Sequence, residues 1–369
     1  MATAASVRTL DDYRAWVASQ RLRLGYVGAD LHYAVGLLGL ADALVIASGA
    51  APPASGILAT RCEGVWSPPG ASANGTGHRV MSAAELLRDQ AAVDFLRSAG
   101  LDGLVVFKSS HRIEGAARGA GLRLLASDAA LSRRWENKVA FVELARELDL
   151  PIPRSTVVEA RSDTFDDVAA ATGVPFVLQA PHGFGGARTV LVSDARSFER
   201  ALAVMRPPLL RAAAFVEGTP LTASGCVTSL GTVASRPFGQ ATGLPQLTPY
   251  PLGSCGNDWA IAADAPRERF VAIVKAIGGA LSQLGYRGLF GVDFVLGSDG
   301  RVFVIEVNPR LVASAALHAQ LDLSQARLPL LARHVMAFVD PGADTAPLDV
   351  GAEPYAGGQA ILHNLSEDE

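Results

Sequence analysis

Residues 288–310, GLFGVDFVLGSDGRVFVIEVNPR, hold two apolar runs separated by Ser298-Asp299-Gly300. β-Branched and aromatic residues dominate both runs, and the Asp-Gly pair between them favours a tight turn, so the pattern predicts an antiparallel hairpin. Residues two apart in a strand share a face, so Glu306 and Asn308 project together while Val307 points away. Centring the turn on 298–300 sets Asp293 almost opposite Glu306. The apolar flanks argue for buried strands rather than a solvated face, and unpaired carboxylates inside a sheet are costly without a cation. Magnesium takes hard oxygen ligands, usually one or two carboxylates with phosphate and water. Asp293, Glu306 and Asn308 are therefore the expected metal ligands. Arg310 falls on the same face if the strand continues, where it contacts a phosphate or substrate carboxylate, or forms a structural ion pair with Glu306.

Working outward, the first third alternates short apolar runs with helical patterns: LRLGYVG, ALVIAS at 43–48, LDGLVVFKSS at 101–110 and LRLLAS at 122–127. Such runs between helices predict a parallel sheet covered on both faces. Segment 50–78, rich in Pro, Gly, Ala and Ser, reads as a loop. Apolar spacing from Leu131 to Leu148, capped by Ser127 or Asp128, predicts one long helix, which PIPRS at 151–155 stops. Strands STVVEA, PFVLQAP and TVLVSD follow, with a helix over 164–172 and the turn HGFGGAR between the last two. A helix over 197–205 and the stretch LLRAAAFVEG lead to a hinge near Gly218. Beyond it come antiparallel strands, a Pro/Gly-rich loop over 243–258, a helix over 267–285 and a last helix over 325–338. The tail from Pro341 reads as partly disordered.

The balance of 32 basic and 36 acidic residues gives a net charge of −4 and no basic footprint for nucleic acid. The apolar stretch at 32–49 is interrupted by Asp42 and is too short to span a bilayer. Cys62, Cys226 and Cys255 match no zinc or redox spacing, and the N-terminus lacks the apolar core of a signal peptide. A cytoplasmic protein is expected.

Four segments, NKVAFVELARELDLPIPRS, PFVLQAPHGFGGARTVLV, FVEG and GVDF…FVIEVNPR with LVASAALHA, occur in the order found in the ATP-grasp superfamily of carboxylate–amine ligases, which this chain resembles over about residues 128–320. The resemblance implies an α/β and α+β fold. Residues 1–127 would form a parallel-sheet α/β domain preceding the grasp module, 128–218 a first lobe with a glycine-rich lid, 219–340 a second lobe with the metal site, and 341–369 a tail. It implies ATP and Mg2+ as cofactors, with Asp293, Glu306 and Asn308 holding magnesium on the phosphates. Lys138 would reach the phosphates, and the loop from His182 to Arg188, with Gly183, Gly185 and Gly186, would form the lid. Phe215 and Val216 would read adenine through their backbone, and Glu217 would add a polar contact. Lys138 and Arg310 are the expected catalytic residues. Small-molecule carboxylic acid and amine substrates follow, and by analogy a homodimer through the N-terminal domain.

The chain also departs from the family. Gln179 stands where a lysine is usual, Ala213 and Ala214 where an acidic residue precedes the hinge, Pro220 where a ribose-binding carboxylate is common, and Gly291 where some amino-acid ligases carry an arginine. Arg188 is the sequence's candidate to replace the lost lysine charge. The expected activity is activation of a small acid as its acylphosphate and amide or peptide bond formation with an amine, in specialised metabolism. A hydroxyl or intramolecular acceptor, and a catalytically weakened nucleotide-binding partner, remain as alternatives.

Overall fold

The structure is a computed structural model that describes residues 7–49, 58, 60–69, 80–183, 185–261, 267–342 and 355–363. Its strands fall into three sheets. In the first, β1 (Arg23–Gly28), β2 (Ala43–Ser48), β3 (Gly64–Trp66) and β4 (Gly103–Val105) lie parallel in the order β3-β2-β1-β4. Alternation divides them between two cores. Leu24, Tyr26, Leu44 and Ile46 face one side with Leu10 and Tyr13, while Val27, Val45 and Ala47 face the other with Leu96, Ile113 and Ala117. This is the both-faces-covered sheet that the apolar runs predicted.

The second sheet is antiparallel, β5 (Ser155–Glu159), β6 (Phe176–Gln179), β7 (Thr189–Val192) and β8 (Leu209–Ala214), ordered β5-β8-β6-β7. Leu178 opposes Ala212, and both enter a core with Val168 and Phe198 from the helices Phe165–Thr172 and Ala195–Val204. The next pair along, Gln179 and Arg211, therefore faces the other way.

The third sheet contains β9 (Gly218–Thr228), β10 (Gly231–Ala234), β11 (Phe238–Thr242), β12 (Ser254–Asp258), β13 (Gly288–Gly297), β14 (Val302–Asn308) and β15 (Gly358–Ala360). Its order is β14-β13-β9-β11-β12-β15, with β10 on β9. The helix Arg267–Gln283 covers one face through Phe270, Val274, Ile277 and Leu281. The hairpin has the predicted register, with Asp293 opposite Glu306. A register shift then pairs Phe294 with Val304 and leaves Ile305 as an extra residue in β14.

Several expectations need correction. The long helix is two helices, Ala129–Glu136 and Lys138–Glu147, separated by Asn137. Asn137 is extended, and its side chain accepts from the amides of Val139 and Ala140, so it caps the second helix instead of continuing the first. Residues 122–127 form no strand beyond a single bridge from Leu124 to Leu104. Within 50–78, residues 50–57, 59 and 70–78 lie outside the described residues, and Gly64–Trp66 is an edge strand rather than loop. The 243–258 loop ends in β12, because Ser254–Asp258 has neighbours on both sides to pair with. The last helix is Leu330–Val339, preceded by a separate helix Ala315–Ser324. The expected disorder of the tail falls largely on 343–354 and 364–369, outside the described residues, whereas 355–363 are packed and contribute β15.

The helix Leu330–Val339 does not stand with the third sheet alone. Leu331, Val335 and Met336 complete the N-terminal core with Leu10, Tyr13 and Leu24. Buried His334 fixes this junction: Nδ1 accepts the Leu289 amide at 3.0 Å, and Nε2 donates to the Leu125 carbonyl at 3.0 Å. With both ring nitrogens committed, a second proton has no acceptor, and burial pushes the imidazole down to about 4 from its ordinary 6.5. The unfolded chain therefore takes up the proton first. This contribution is intact above pH 6.5 and is lost progressively between pH 6.5 and 4, by about 3 kcal/mol in all. Denaturant unfolding across that window should show the loss, and a His334→Gln variant should show a shallower one. Equal pH slopes would sink the assignment.

Candidate active site

A cavity of about 660 Å³ lies where the three sheets meet. Its floor is the hairpin of β13 and β14 with Gln240 of β11, and its roof is β6, β8 and the loop between β6 and β7. Asp30, His32 and Tyr33, after β1, form one wall. These residues sit at the carboxyl end of the parallel sheet. There the strand order reverses between β1 and β4, the crevice where open α/β sheets bind ligands. The helix Ala315–Ser324 holds that wall in place: Gln320 Nε2 donates to the carbonyls of Val35 and Leu38, and Gly36 lies so close to Ala316 that a Cβ would approach its Cα at 2.7 Å.

On the floor, Asp293 accepts from Gln240 Nε2 and from Asn308 Nδ2, each at 3.2 Å. These donors are neutral, and burial together with the facing Glu306 charge pushes the Asp293 carboxyl up to about 6. Glu306 behaves oppositely. Burial opposes its ionisation, but the Lys138 ammonium, with Nζ 2.7 Å from Oε2, together with the Arg310 charge and the Asn308 amide outweighs burial and holds Glu306 below its ordinary value. Lys138 is placed by the break at Asn137: it is the first residue of its helix, and its amide donates to Pro181 at the base of the β6–β7 loop.

Arg310 reaches the cavity in a fixed pose. Nε donates to Glu136 Oε1 at 2.7 Å and Nη2 to Asn308 Oδ1 at 2.8 Å, while Cζ lies 5.0 Å from the centre of the Phe107 ring. Its ionic partner is Glu136, which also takes Lys108, and not Glu306. Phe107 stacks on Tyr33 at 4.0 Å, so the N-terminal wall and the floor are in direct contact.

Residues 135–314 match the family model described as an ATP-grasp domain. The chain carries an ATP-grasp domain. Biotin carboxylase from Campylobacter jejuni, solved in a β-γ-ATP complex, aligns with 92% of this chain and 75% of its own at a TM-score of 0.67 and 10% identity. N5-carboxyaminoimidazole ribonucleotide synthetase from Thermus thermophilus aligns with 91% of this chain and 81% of its own at 0.59 and 16%. The biotin carboxylase domain of 2-oxoglutarate carboxylase from Hydrogenobacter thermophilus, solved as a dimer with MgADP and bicarbonate, aligns with 91% and 73% at 0.62 and 13%. At such identities the likeness is one of fold. No curated protein sequence matches the chain.

An ATP-grasp domain points to ATP and Mg2+ as its ligands, and the chemistry of the floor fits both. Two opposed carboxylates, one with a raised proton affinity, form a place where a divalent cation can take the position of a proton. Among the described residues no group of three or more His, Cys, Asp or Glu converges to hold a metal, so a cation held here would need ligands beyond the two carboxylates. Asp293, Glu306, Asn308 and Lys138 all line the ATP-grasp cavity.

Other expected residues are divided by geometry. Gly183, Gly185 and Gly186 line the roof, whereas residue 184 of the expected lid lies outside the described residues. Gly186 has φ +87°, and a Cβ there would sit 2.4 Å from the Gly253 Cα, so glycine is needed both for conformation and for close approach. Arg188 is not part of the cavity wall. Gln179 and Thr189 are cross-strand partners that face the cavity, and Arg188, one residue off that register, is turned aside in the left-handed region at φ +61°. Phe215, Val216 and Glu217 line the cavity, but the Phe215 amide already donates to the Pro175 carbonyl and is not free for adenine.

Sequence reasoning missed Asp30, His32, Gln240, Glu136 and Arg211, and it missed Ile361 and His363 from the tail. Arg211 carried a visible signal, a lone charge in the apolar run PLLRAAAF. The tail carried none. There, Ile361 donates its amide to Cys255, His363 takes the Ser254 carbonyl at 3.0 Å, and the His363 ring lies where a Cβ on Gly185 would meet it at 3.1 Å. The end of the chain thus buttresses the glycine loop.

Replacing Lys138 with Met should weaken binding of Mg2+ with a non-hydrolysable ATP analogue about tenfold or more, as loss of one charge-assisted contact does, without unfolding the protein. Calorimetric titration checks this, and an unchanged Kd would separate Lys138 from the phosphates. A chain ended after residue 354 should keep its thermal midpoint within a few degrees yet bind MgADP about threefold to tenfold more weakly, because the roof loses its support. Full affinity in the shortened chain would remove the buttress.

Proposed function

We propose that this ATP-grasp enzyme activates a small carboxylic acid as its acylphosphate, with release of ADP, and joins it to an amine to form an amide or peptide bond. The observation that carries this reading is the convergence of the Asp293–Glu306 pair, Lys138 and Arg310 on one cavity whose remaining wall belongs to the N-terminal sheet. Solved neighbours support a nitrogen acceptor, one being an N5-carboxyaminoimidazole synthase held with ADP and 5-aminoimidazole ribonucleotide. Three unpaired thiols fit a reducing compartment, so the cytoplasm is the proposed location. Among the described residues no helix is long and apolar enough to cross a membrane.

Each part of the cavity then has a task. Asp293, Glu306 and Asn308 would hold Mg2+, which supplies charge neutralisation for the phosphates. Lys138 binds the transferring phosphate, and its ion pair with Glu306 holds the ammonium in place for that contact. Arg310, immobilised by Glu136, orients the substrate carboxylate and then stabilises the oxyanion formed as the amine attacks. The glycine loop excludes water from the acylphosphate. The attacking amine gives up a proton as the carbon–nitrogen bond forms and phosphate leaves. His32, bonded to Asp30 at 2.8 Å on the opposite wall, is placed to take it. A catalytically weakened binding partner fits less well, because the phosphate end keeps its complete set of ligands.

Hydroxylamine separates the two half-reactions by trapping an activated carboxylate as a hydroxamate. ADP release and hydroxamate should both appear with a suitable acid, and both should vanish in Glu306→Gln. In His32→Ala, amide formation should fall about a hundredfold while hydroxamate yield changes little, because hydroxylamine does not depend on a protein base. ADP release with no trapped or coupled product would contradict the acylphosphate.

A further inference from the structure

Arg211 is the most deeply buried charge in the cavity wall, with 1% of its surface exposed. Its contacts are all neutral. Nη1 donates to the Ile305 carbonyl at 2.7 Å, Nη2 reaches Ser155 Oγ only at 3.5 Å, and the guanidinium lies over Phe141 with Cζ 5.5 Å from the ring centre. Nε is buried and has no partner. Burial lowers its pKa to about 10 while Glu306 acts in the opposite direction, so the group stays charged at neutral pH. A buried guanidinium without an anion is expensive, and folding alone gives no reason to keep one here. Its neighbour in register across the strand pair is Gln179, which also faces the cavity. The Ile305 carbonyl it holds belongs to the extra residue of β14, beside Glu306, so this side chain spans from the roof sheet to the metal end of the floor.

We propose that Arg211 is a phosphate-binding residue of the nucleotide site, its guanidinium charge acting on the polyphosphate chain from the cavity wall. This rests on the nucleotide reading of the cavity and adds to it. The cation that the first-lobe sheet gives to the phosphates sits on β8, with Gln179 beside it as a neutral companion. The same guanidinium bridges to Ile305, so phosphate binding on the roof is coupled mechanically to the position of Glu306.

The test is a titration of the full chain with MgADP and, by competition, with adenosine as the phosphate-free probe. Wild-type binding of MgADP establishes the nucleotide reading independently. Arg211→Met should raise the MgADP Kd about tenfold to a hundredfold, as expected for charged hydrogen bonds, and leave adenosine unchanged. Adding Gln179→Lys should recover most of the loss by restoring a cation at the neighbouring position. Gln179→Glu in the native background guards against a folding defect in Arg211→Met. It pairs with Arg211 across the strands, should preserve the thermal midpoint, and should weaken MgADP but not adenosine. An unchanged MgADP Kd in either single variant, or equal losses for MgADP and adenosine, would overturn the proposal while leaving wild-type nucleotide binding in place.

Discussion

Two carboxylates forced face to face by strand register are the constraint on which the rest of the site depends. Once β13 and β14 pair, Asp293 must oppose Glu306, and like charges across a strand pair repel. The fold answers with neutral donors on Asp293 and an ammonium on Glu306. That ammonium comes from another element, so its position is a tertiary requirement. Lys138 meets it only because Asn137 ends one helix and starts the next, which brings the lysine to the first turn and ties its amide to the roof. A continuous helix through 128–148 would carry the side chain around a different arc. The break is thus part of the electrostatics of the floor.

This explains which features were legible in the sequence. The hairpin was readable because its evidence is local: two alternating runs, one turn, and acids at fixed parity. The parallel sheet was readable for the same reason. The helix break was not, since Asn137 sits in an unbroken helical pattern of apolar residues and its preference for capping shows only once Pro181 is beside Lys138. The pairing of Arg310 with Glu136 was not legible, because strand parity points only toward Glu306 while Glu136 lies far away in sequence. The role of residues 355–363 was invisible, because a short polar segment gains a strand only from an edge such as β12 that a sequence does not display.

The cavity also shows why its substrates resist reading. Its phosphate end is built from strands whose register fixes side chains to within a residue. Its other wall is the turn after β1 and the short helix His32–Val35, held by backbone carbonyls to Gln320 and by contact between Gly36 and Ala316. A wall supported through main-chain contacts can change its side chains freely without disturbing the support. Side chains on this wall outside the Asp30–His32 pair can therefore vary while the floor stays constant, which is a division of labour between scaffold and recognition.

The same reasoning bears on departures from a family pattern. A motif scores charge by position along the chain, whereas a phosphate responds to charge by position in space. Partners across antiparallel strands have Cβ atoms only about 5 Å apart, less than the reach of an arginine side chain. A cation moved from β6 to β8 therefore stays near the same oxygens, even though one strand then reads as deficient and the other as carrying an unexplained charge. Gln179 and Arg211 are such a pair: taken singly each looks anomalous, and in register they form one site. A lost charge in a sheet is best sought on the residue opposite before the site is judged impaired. Arg188, nearer to Gln179 along the chain but left-handed just before β7 and outside the cavity wall, shows why proximity along the chain is the poorer guide.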